Sequence, residues 1–206
     1  MSMHLAIIGA GGHGKVAADI AELTGWDVIH FYDDAPSTDY PWQICGNINA
    51  LWQNLPHYQG VFVALGNNAQ RKNLLVTCMA KGAPIPTLIH PSANLSRYTQ
   101  VGAGSLVDAG AIIRPATTLG LGVIVNYGAC IGHDCLIGDY CHIAPGALLA
   151  GQVTLGEESW VGIGSIIIEG LHIEAKVMLG AGALVVKDLQ QPGLYYGSPA
   201  ILQRKI

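Results

Sequence analysis

From Ile89 to Val185 an aliphatic side chain returns at every sixth position, through Val107, Ile113, Val125, Ile131, Ile143, Val161 and Ile173 among others. Four residues after most members stands a small one, as at Ser105, Ala111, Thr117, Ala129, Cys135, Cys141, Ala147, Ser159, Ser165 and Ala183. A six-residue period is neither the 3.6 of an α-helix nor the simple alternation of a half-buried strand. It predicts a parallel β-helix in which each hexad makes one short flat face and a corner. The aliphatic residue points inward, the small one fits beside the corner, and polar residues face out. Within this repeat a glycine recurs every eighteen residues, at Gly110, Gly128, Gly146, Gly164 and Gly182.

Residues 1–88 lack the period and predict a small Rossmann-like α/β unit. Strands are expected over His4–Ile8, Val28–Tyr32 and Val61–Leu65, and helices from the glycine loop to about Thr24 and from about Ala69 to Lys81. The run from Gly9 to Lys15 places glycines between a strand and a helix start, where free amides suit anionic or hydroxyl-rich ligands. Gly9 to Gly14 also match GxGxxG, with Asp33-Asp34 about twenty residues further on, which is the pattern of an NAD-binding loop. Three strands are half of what a dinucleotide fold uses, so a mononucleotide or nucleotide-sugar pocket fits the size better. The bland alternative is that these glycines only pack helix against strand.

Composition removes several function classes. A net charge of −4 with 12% charged residues leaves no basic stripe for a phosphate backbone. No stretch approaches the ~18 uncharged apolar residues of a membrane span. The first residues read as a strand entering a glycine turn rather than as a signal peptide. The five cysteines contain no CxxC pair. Cys135 and Cys141 fall on small inward positions, so reduced core thiols in a cytoplasmic protein are expected, with no metal site.

GAGGHGKV at Gly9–Val16, FYDD at Phe31–Asp34, LGNN at Leu65–Asn68, IHPSA at Ile89–Ala93, VNYGACIGHDCLIGDYCHI at Val125–Ile143 and YGSPA at Tyr196–Ala200 together span nearly the whole chain. In this combination the sequence resembles the hexapeptide-repeat sugar acyltransferases of the sialic-acid O-acetyltransferase type. Within them it is most similar to the bacterial UDP-4-amino-sugar (bacillosamine-pathway) N-acetyltransferases. The resemblance implies a left-handed parallel β-helix whose three hexads close a triangular coil of eighteen residues. The glycine series then stacks along one edge of the prism. Tyr98, Ala116, Asp134, Gln152 and Gly170 stack along a second edge, and Gly104, Gly122, Tyr140, Glu158 and Lys176 along the third. It implies a nucleotide-sugar-binding domain over 1–88 and an acetyl-CoA-binding β-helix over 89–206, ending in a C-terminal tail. Flat faces are readily shared between copies, so a homotrimer with parallel three-fold packing is expected.

By motif, the resemblance gives the nucleotide-sugar contacts as Gly11, Gly12, His13, Asp33, Asp34 and Gly66, with Asn126 and His142 lining the acyl-transfer site. His133 becomes the general base and Asp134 the neighbour that raises its basicity, where close relatives tend to carry the longer Glu. Histidine suits the role because its reference pKa, about 6.5, lets it take a proton at neutral pH. Adjacent residues of a straight strand point to opposite faces, so His133 and Asp134 can cooperate only because they sit at a corner. Columns eighteen apart put Gly162-Ile163-Gly164 and Gly180-Ala181-Gly182 beside the glycine edge, where their amides could hold the pantetheine arm of acetyl-CoA. His133 lies on another edge, which implies active sites shared between subunits. The expected reaction is N-acetylation of a UDP-4-amino-4,6-dideoxy sugar. Competing readings are O-acetylation of sialic acid or a capsule sugar, an NAD-binding protein, and a non-catalytic scaffold.

Overall fold

The computed structural model describes residues 2–35 and 41–205 and divides into two compact units, residues 1–91 and 92–206. The first unit is a parallel four-stranded sheet, β1 His4–Ile8, β2 Val28–Tyr32, β3 Gln43–Gly46 and β4 Gly60–Val63, in the order β3-β2-β1-β4. Helices α1 Gly12–Leu23, α2 Ile48–Asn54 and α3 Asn68–Ala80 connect the strands. β1, an inner strand, is buried from Leu5 to Ile8, and β4, at the end of the sheet, is buried along its length, as expected for a sheet covered on both faces. The sequence pattern predicted three strands; the fourth, β3, and the short α2 are additional. Gln43-Ile44-Cys45-Gly46 is an edge strand only partly covered, so it carries no run of buried aliphatics.

The second unit is a left-handed parallel β-helix. Its two-residue strands pair with residues eighteen further on, as in Cys130↔Leu148, Ile124↔His142 and Leu136↔Thr154. The aliphatic series fills the interior from Val107 to Val185, each side chain at most 4% exposed. Ile89, Leu95 and Val101 are half-buried. The small series is fully buried, and its choice of residue has a reason. Ser105, Thr117, Ser159 and Ser165 each donate a hydroxyl to the carbonyl fifteen residues on, of Gly120, Gly132, Glu174 and Gly180. The thiols of Cys135 and Cys141 do the same to Ala150 and Gly156. A buried acceptor left unmade would cost about 1–3 kcal/mol, so this position selects small residues carrying a donor, with alanine as the apolar substitute. Burial pushes the Cys135 thiol above its ordinary range, which makes it inert rather than nucleophilic.

All three edges use the left-handed backbone conformation. Five glycines take φ of 63–66° along one edge, and Ala116, Asp134, Tyr140, Gln152, Glu158 and Lys176 take 57–62° on the other two. A side chain there costs roughly 1–2 kcal/mol, offset in part by hydrogen bonds between coils such as Asp134 N–H to Pro115 O. No helix among the described residues is long and apolar enough to cross a membrane.

The three faces differ outside. The strands between the glycine edge and the Asp134 edge present Ile112, Cys130, Leu148, Ile166 and Leu184 outward in one column. Ile112, Leu148 and Ile166 are 37%, 43% and 42% exposed. The face beyond the Asp134 edge carries Gln100, Thr118, Leu136, Thr154 and His172 in the same positions and is mostly polar.

Candidate functional site

His133 and Asp134 occupy the corner that follows strand Cys130–Ile131. Asp134 holds φ of 57°, and that turn swings its side chain alongside its neighbour's. His133 Nδ1 lies 2.6 Å from Asp134 Oδ2, so the shorter acid reaches the ring as a charge-assisted partner. Both side chains are open to solvent, 61% and 55% exposed. With Nδ1–H held by the carboxylate, Nε2 is the nitrogen available to accept a proton. One coil on, Gly151 carries the ring: a Cβ there would stand 2.7 Å from both Cε1 and Nε2. Gly151 was not singled out by sequence, yet it is eighteen residues from His133, and the column rule would have found it.

On the glycine edge the structure brings Asn126 and His142 together. Asn126 Oδ1 accepts the Tyr127 amide at 3.1 Å, which turns Nδ2 toward His142 Nε2 at 3.3 Å. The accepting Nε2 then leaves the His142 proton on Nδ1. His142 is buried, its ring 3.9 Å from that of Trp160, the next residue of its column. Trp160 is a second residue that eighteen-residue spacing reveals and motif reading passes over.

The expected row of amide donors narrows. Gly164 N–H donates to Pro145 O, Gly180 N–H to Tyr195 O and Gly182 N–H to Ile163 O, so these amides hold neighbouring coils together and face no ligand. Ile163 N–H and Ala181 N–H have no hydrogen-bond partner among the described residues. At the same corner position in earlier coils the preceding side chain closes the amide: Asp108 takes Ala109 N–H and Asn126 takes Tyr127 N–H. Gly162 and Gly180 have no side chain to do this. Close packing keeps them glycine, since a Cβ would lie 2.4 Å from Leu179 O and 2.8 Å from the Tyr196 Cβ. Two donors one coil apart therefore point outward. The glycine edge itself is open; a Cβ on Gly128, Gly146, Gly164 or Gly182 would meet nothing within 4 Å. Because other residues adopt the same φ on the other edges, backbone conformation alone does not explain an edge made only of glycine.

A separate constellation lies in the first unit, at the carboxyl ends of β1, β2 and β4. A cavity of about 600 Å³ is lined by Gly9, Asp33, Asp34, Ile48, Leu65 and Asn73, among others. In open parallel sheets this end of the strands, where connections diverge, is where ligands bind. Asp33 uses both oxygens on the chain, Oδ2 accepting Ala10 N–H at 2.7 Å and Oδ1 accepting Ala35 N–H at 2.8 Å. Asp34 Oδ1 accepts the Ile48 amide at the start of α2. The acidic pair thus shapes the glycine loop and the α2 entry, with further lone pairs available to hydroxyls. Gly11 caps α1 and Gly12 begins it; neither they nor Gly66 would bring a Cβ within 4 Å of another group. His13 is half-buried in the first turn of α1. Arg71, 1% exposed and unannounced by any motif, donates to the carbonyls of Leu65 and Gly66 and to Asn68 Oδ1, and so braces the turn that presents Gly66. Among the described residues no group of three or more His, Cys, Asp or Glu side chains is arranged to hold a metal ion.

Comparison with known proteins follows the same division. Residues 4–77 match the family model of the PglD N-terminal domain. Over 98% of its length the chain superposes on all of the acetyltransferase domain of PglB from Neisseria gonorrhoeae, with 38% identity and a TM-score of 0.93; that domain has also been solved with acetyl coenzyme A. PerB from Caulobacter crescentus, solved with CoA and GDP-perosamine, shares 34% identity over 97% of each chain at a TM-score of 0.92.

Proposed function

Because the chain belongs to the hexapeptide-repeat sugar acetyltransferases, we propose that it transfers the acetyl group of acetyl-CoA to the amine of a nucleotide-linked amino sugar, first among candidates a UDP-4-amino-4,6-dideoxy sugar. The observation that carries the reading is the His133–Asp134 contact at 2.6 Å, with Nε2 turned outward over Gly151. The sugar amine forms the new C–N bond to the thioester carbonyl, and the proton it sheds goes to His133 Nε2. Asp134 on Nδ1 stabilises the imidazolium. When the C–S bond breaks, the thiolate leaves with the electron pair and takes that proton, so His133 ends neutral.

The acyl donor is assigned to the glycine edge, with His142 at its reactive end and the amides of Ile163 and Ala181 on the pantetheine arm. Gly162, Gly164 and Gly180 contribute by leaving that strip clear. Residues 89–206 are accordingly the donor-binding domain. Residues 1–88 hold the nucleotide, with Gly11, Gly12, His13, Asp33, Asp34 and Gly66 around it, while Asn126 meets the sugar near the transfer point. Gly11, Gly12 and Gly66 support this, being glycines that neither packing nor a positive φ demands.

The working unit is a homotrimer. An apolar face, Ile112 to Leu184, is bounded on one side by the glycine edge and on the other by the edge of His133 and Asp134. Three parallel copies burying this face around a common axis bring the glycine edge of each copy beside the His133 edge of the next. Base and donor strip, which one prism holds apart on two edges, then meet.

Purified protein with acetyl-CoA and a panel of UDP- and GDP-linked 4-amino sugars should release free thiol with at least one amine. His133→Ala should reduce the rate by roughly 10²–10⁴-fold, the range for a general base. Thiol release with hydroxyl acceptors alone would replace N-transfer by O-transfer. Full activity of His133→Ala would overturn the base assignment.

A further inference from the structure

Asp108 is a nearly buried acid, 7% exposed, for which the transfer chemistry has no use. It stands one coil before Asn126 in the column Asp108, Asn126, Ala144, Gly162, Gly180, which runs beside the glycine edge. We propose that Asp108 holds the acceptor amine by its second N–H and so makes the site selective for primary amines over hydroxyls; the inference rests on the acetyl-transfer reading.

Closing the corner amide does not require this charge. Asp108 Oδ1 accepts Ala109 N–H at 2.6 Å, and one coil on Asn126 does the same for Tyr127 at 3.1 Å with a neutral carboxamide. The difference lies in the second atom. Asn126 Nδ2 turns to His142 Nε2, sixteen residues further on, at 3.3 Å. The residue sixteen beyond Asp108 is Ile124, which has no polar side-chain atom, and Asp108 Oδ2 accepts no hydrogen bond among the described residues. Nor is Oδ2 sealed inside the coil. A carboxylate set in so dry a place with one oxygen unanswered is costly. A ligand N–H supplies the missing donor.

Its level on the prism is the acceptor's. With the thioester at His142 and the pantetheine arm on Ile163 and Ala181, the strip on the other side of His142 is left to the sugar. Asp108 lies one coil from Asn126 there, about 4.8 Å. A primary amine carries two N–H bonds. As the C–N bond forms, one proton goes to His133 Nε2, while the other hydrogen stays on nitrogen, donates to Asp108 Oδ2 and remains as the N–H of the product amide. Nitrogen gains positive charge during attack, so this hydrogen bond is strongest in the transition state. The thiolate leaves with the C–S electron pair and takes the proton from His133. A hydroxyl has a single proton. Once the base holds it, the attacking oxygen presents only lone pairs to the carboxylate, and the two repel.

Kinetics of the full chain with acetyl-CoA and a matched set of acceptors test this: a nucleotide-linked 4-amino sugar, its N-methylamino analogue with one N–H, and its 4-hydroxyl counterpart. Asp108→Asn keeps an acceptor for Ala109 N–H, as Asn126 shows for Tyr127, so the melting temperature should hold. Its kcat/KM for the primary amine should fall about 10- to 100-fold, the loss of a charge-assisted hydrogen bond. The fall should appear in kcat, because the bond matures in the transition state. The N-methylamino and hydroxyl acceptors have no second hydrogen to lose and should be handled as by the wild type. Asp108→Ser, whose hydroxyl can also accept the Ala109 amide, gives the same comparison if the first variant does not fold. An equal fall for every acceptor would make Asp108 a structural residue only, and wild-type kcat/KM for the primary amine in a folded variant would remove it from the site. Either result overturns the proposal while leaving acetyl transfer standing. A wild type that acetylates no amine overturns the N-transfer reading as well.

Discussion

Alanine at position 151 would put a methyl carbon 2.7 Å from Cε1 and Nε2 of His133 and 3.2 Å from Cδ2. Carbon and ring atoms rest at about 3.5–4.0 Å, so the imidazole must retreat by roughly 1 Å. The backbone accepts the change, because Gly151 is not among the residues with positive φ. The ring is on the surface and can swing away, so the cost to folding is small, within about ±0.5 kcal/mol as for other exposed sites. Catalysis does not have that freedom. A displacement of 1 Å at the reacting centre costs on the order of 10²-fold, and the retreat also pulls Nδ1 off its 2.6 Å contact with Asp134. Steady-state thiol release should therefore show kcat/KM for Gly151→Ala down about a hundredfold, with an unchanged melting temperature. Full kcat/KM in a folded Gly151→Ala protein would mean that Nε2 over Gly151 is not the working position of the base, and the proton path would have to be abandoned.

Asp134→Asn keeps a residue that tolerates φ near +60° and removes only the charge. Losing a charge-assisted hydrogen bond, about 1.5–3 kcal/mol, should lower kcat by roughly 10- to 100-fold, and a folded Asp134→Asn protein with wild-type kcat would remove the carboxylate from the proton path. Leu148→Glu sets a charge in the middle of the apolar face; burying it unpaired costs several kcal/mol, so light scattering should show trimer for the wild type and monomer for the variant. A wild-type monomer, or a variant still trimeric, would remove the face from the interface. Burial, and secondarily the nearby His4, hold the His30 imidazole below its usual range, where its neutral Nδ1 can accept from Tyr58 Oη at 3.0 Å. The unfolded chain therefore takes up this proton first. The stability contribution is complete above about pH 6.5 and is lost as pH falls through the lowered folded value. His30→Gln should flatten the melting-temperature decline below pH 6.5, and an unchanged slope would assign it to other groups.

The β-helix is legible because its physics is periodic. One inward aliphatic and one small donor per hexad fix the coil, and eighteen-residue spacing then aligns His133 with Gly151 and His142 with Trp160. What the spacing misses is local and aperiodic. Strand β3 is short, polar and at an edge, and Arg71 is a single charge whose burial depends on the carbonyls it finds at Leu65 and Gly66. The amide strip was half legible: the columns locate it, but which N–H groups are already spent between coils depends on hydrogen bonds that sequence does not display. Asp134 turned on a single distance, since whether Asp in place of Glu reaches the ring is decided by the corner dihedral.

Complementation between two inactive variants tests the shared site most directly. His133→Ala removes the base from every copy. Ala181→Pro deletes an open amide and sets a ring beside the donor strip, at a corner position where Pro145 shows that proline fits the coil. Neither variant chain carries a complete set of groups. If base and donor strip come from adjacent copies, subunits mixed by unfolding and refolding together should recover about a quarter of wild-type activity, the share of interfaces that pair an intact base with an intact strip. If mixing restores nothing although mixed trimers form, each chain works alone, and the shared site is wrong.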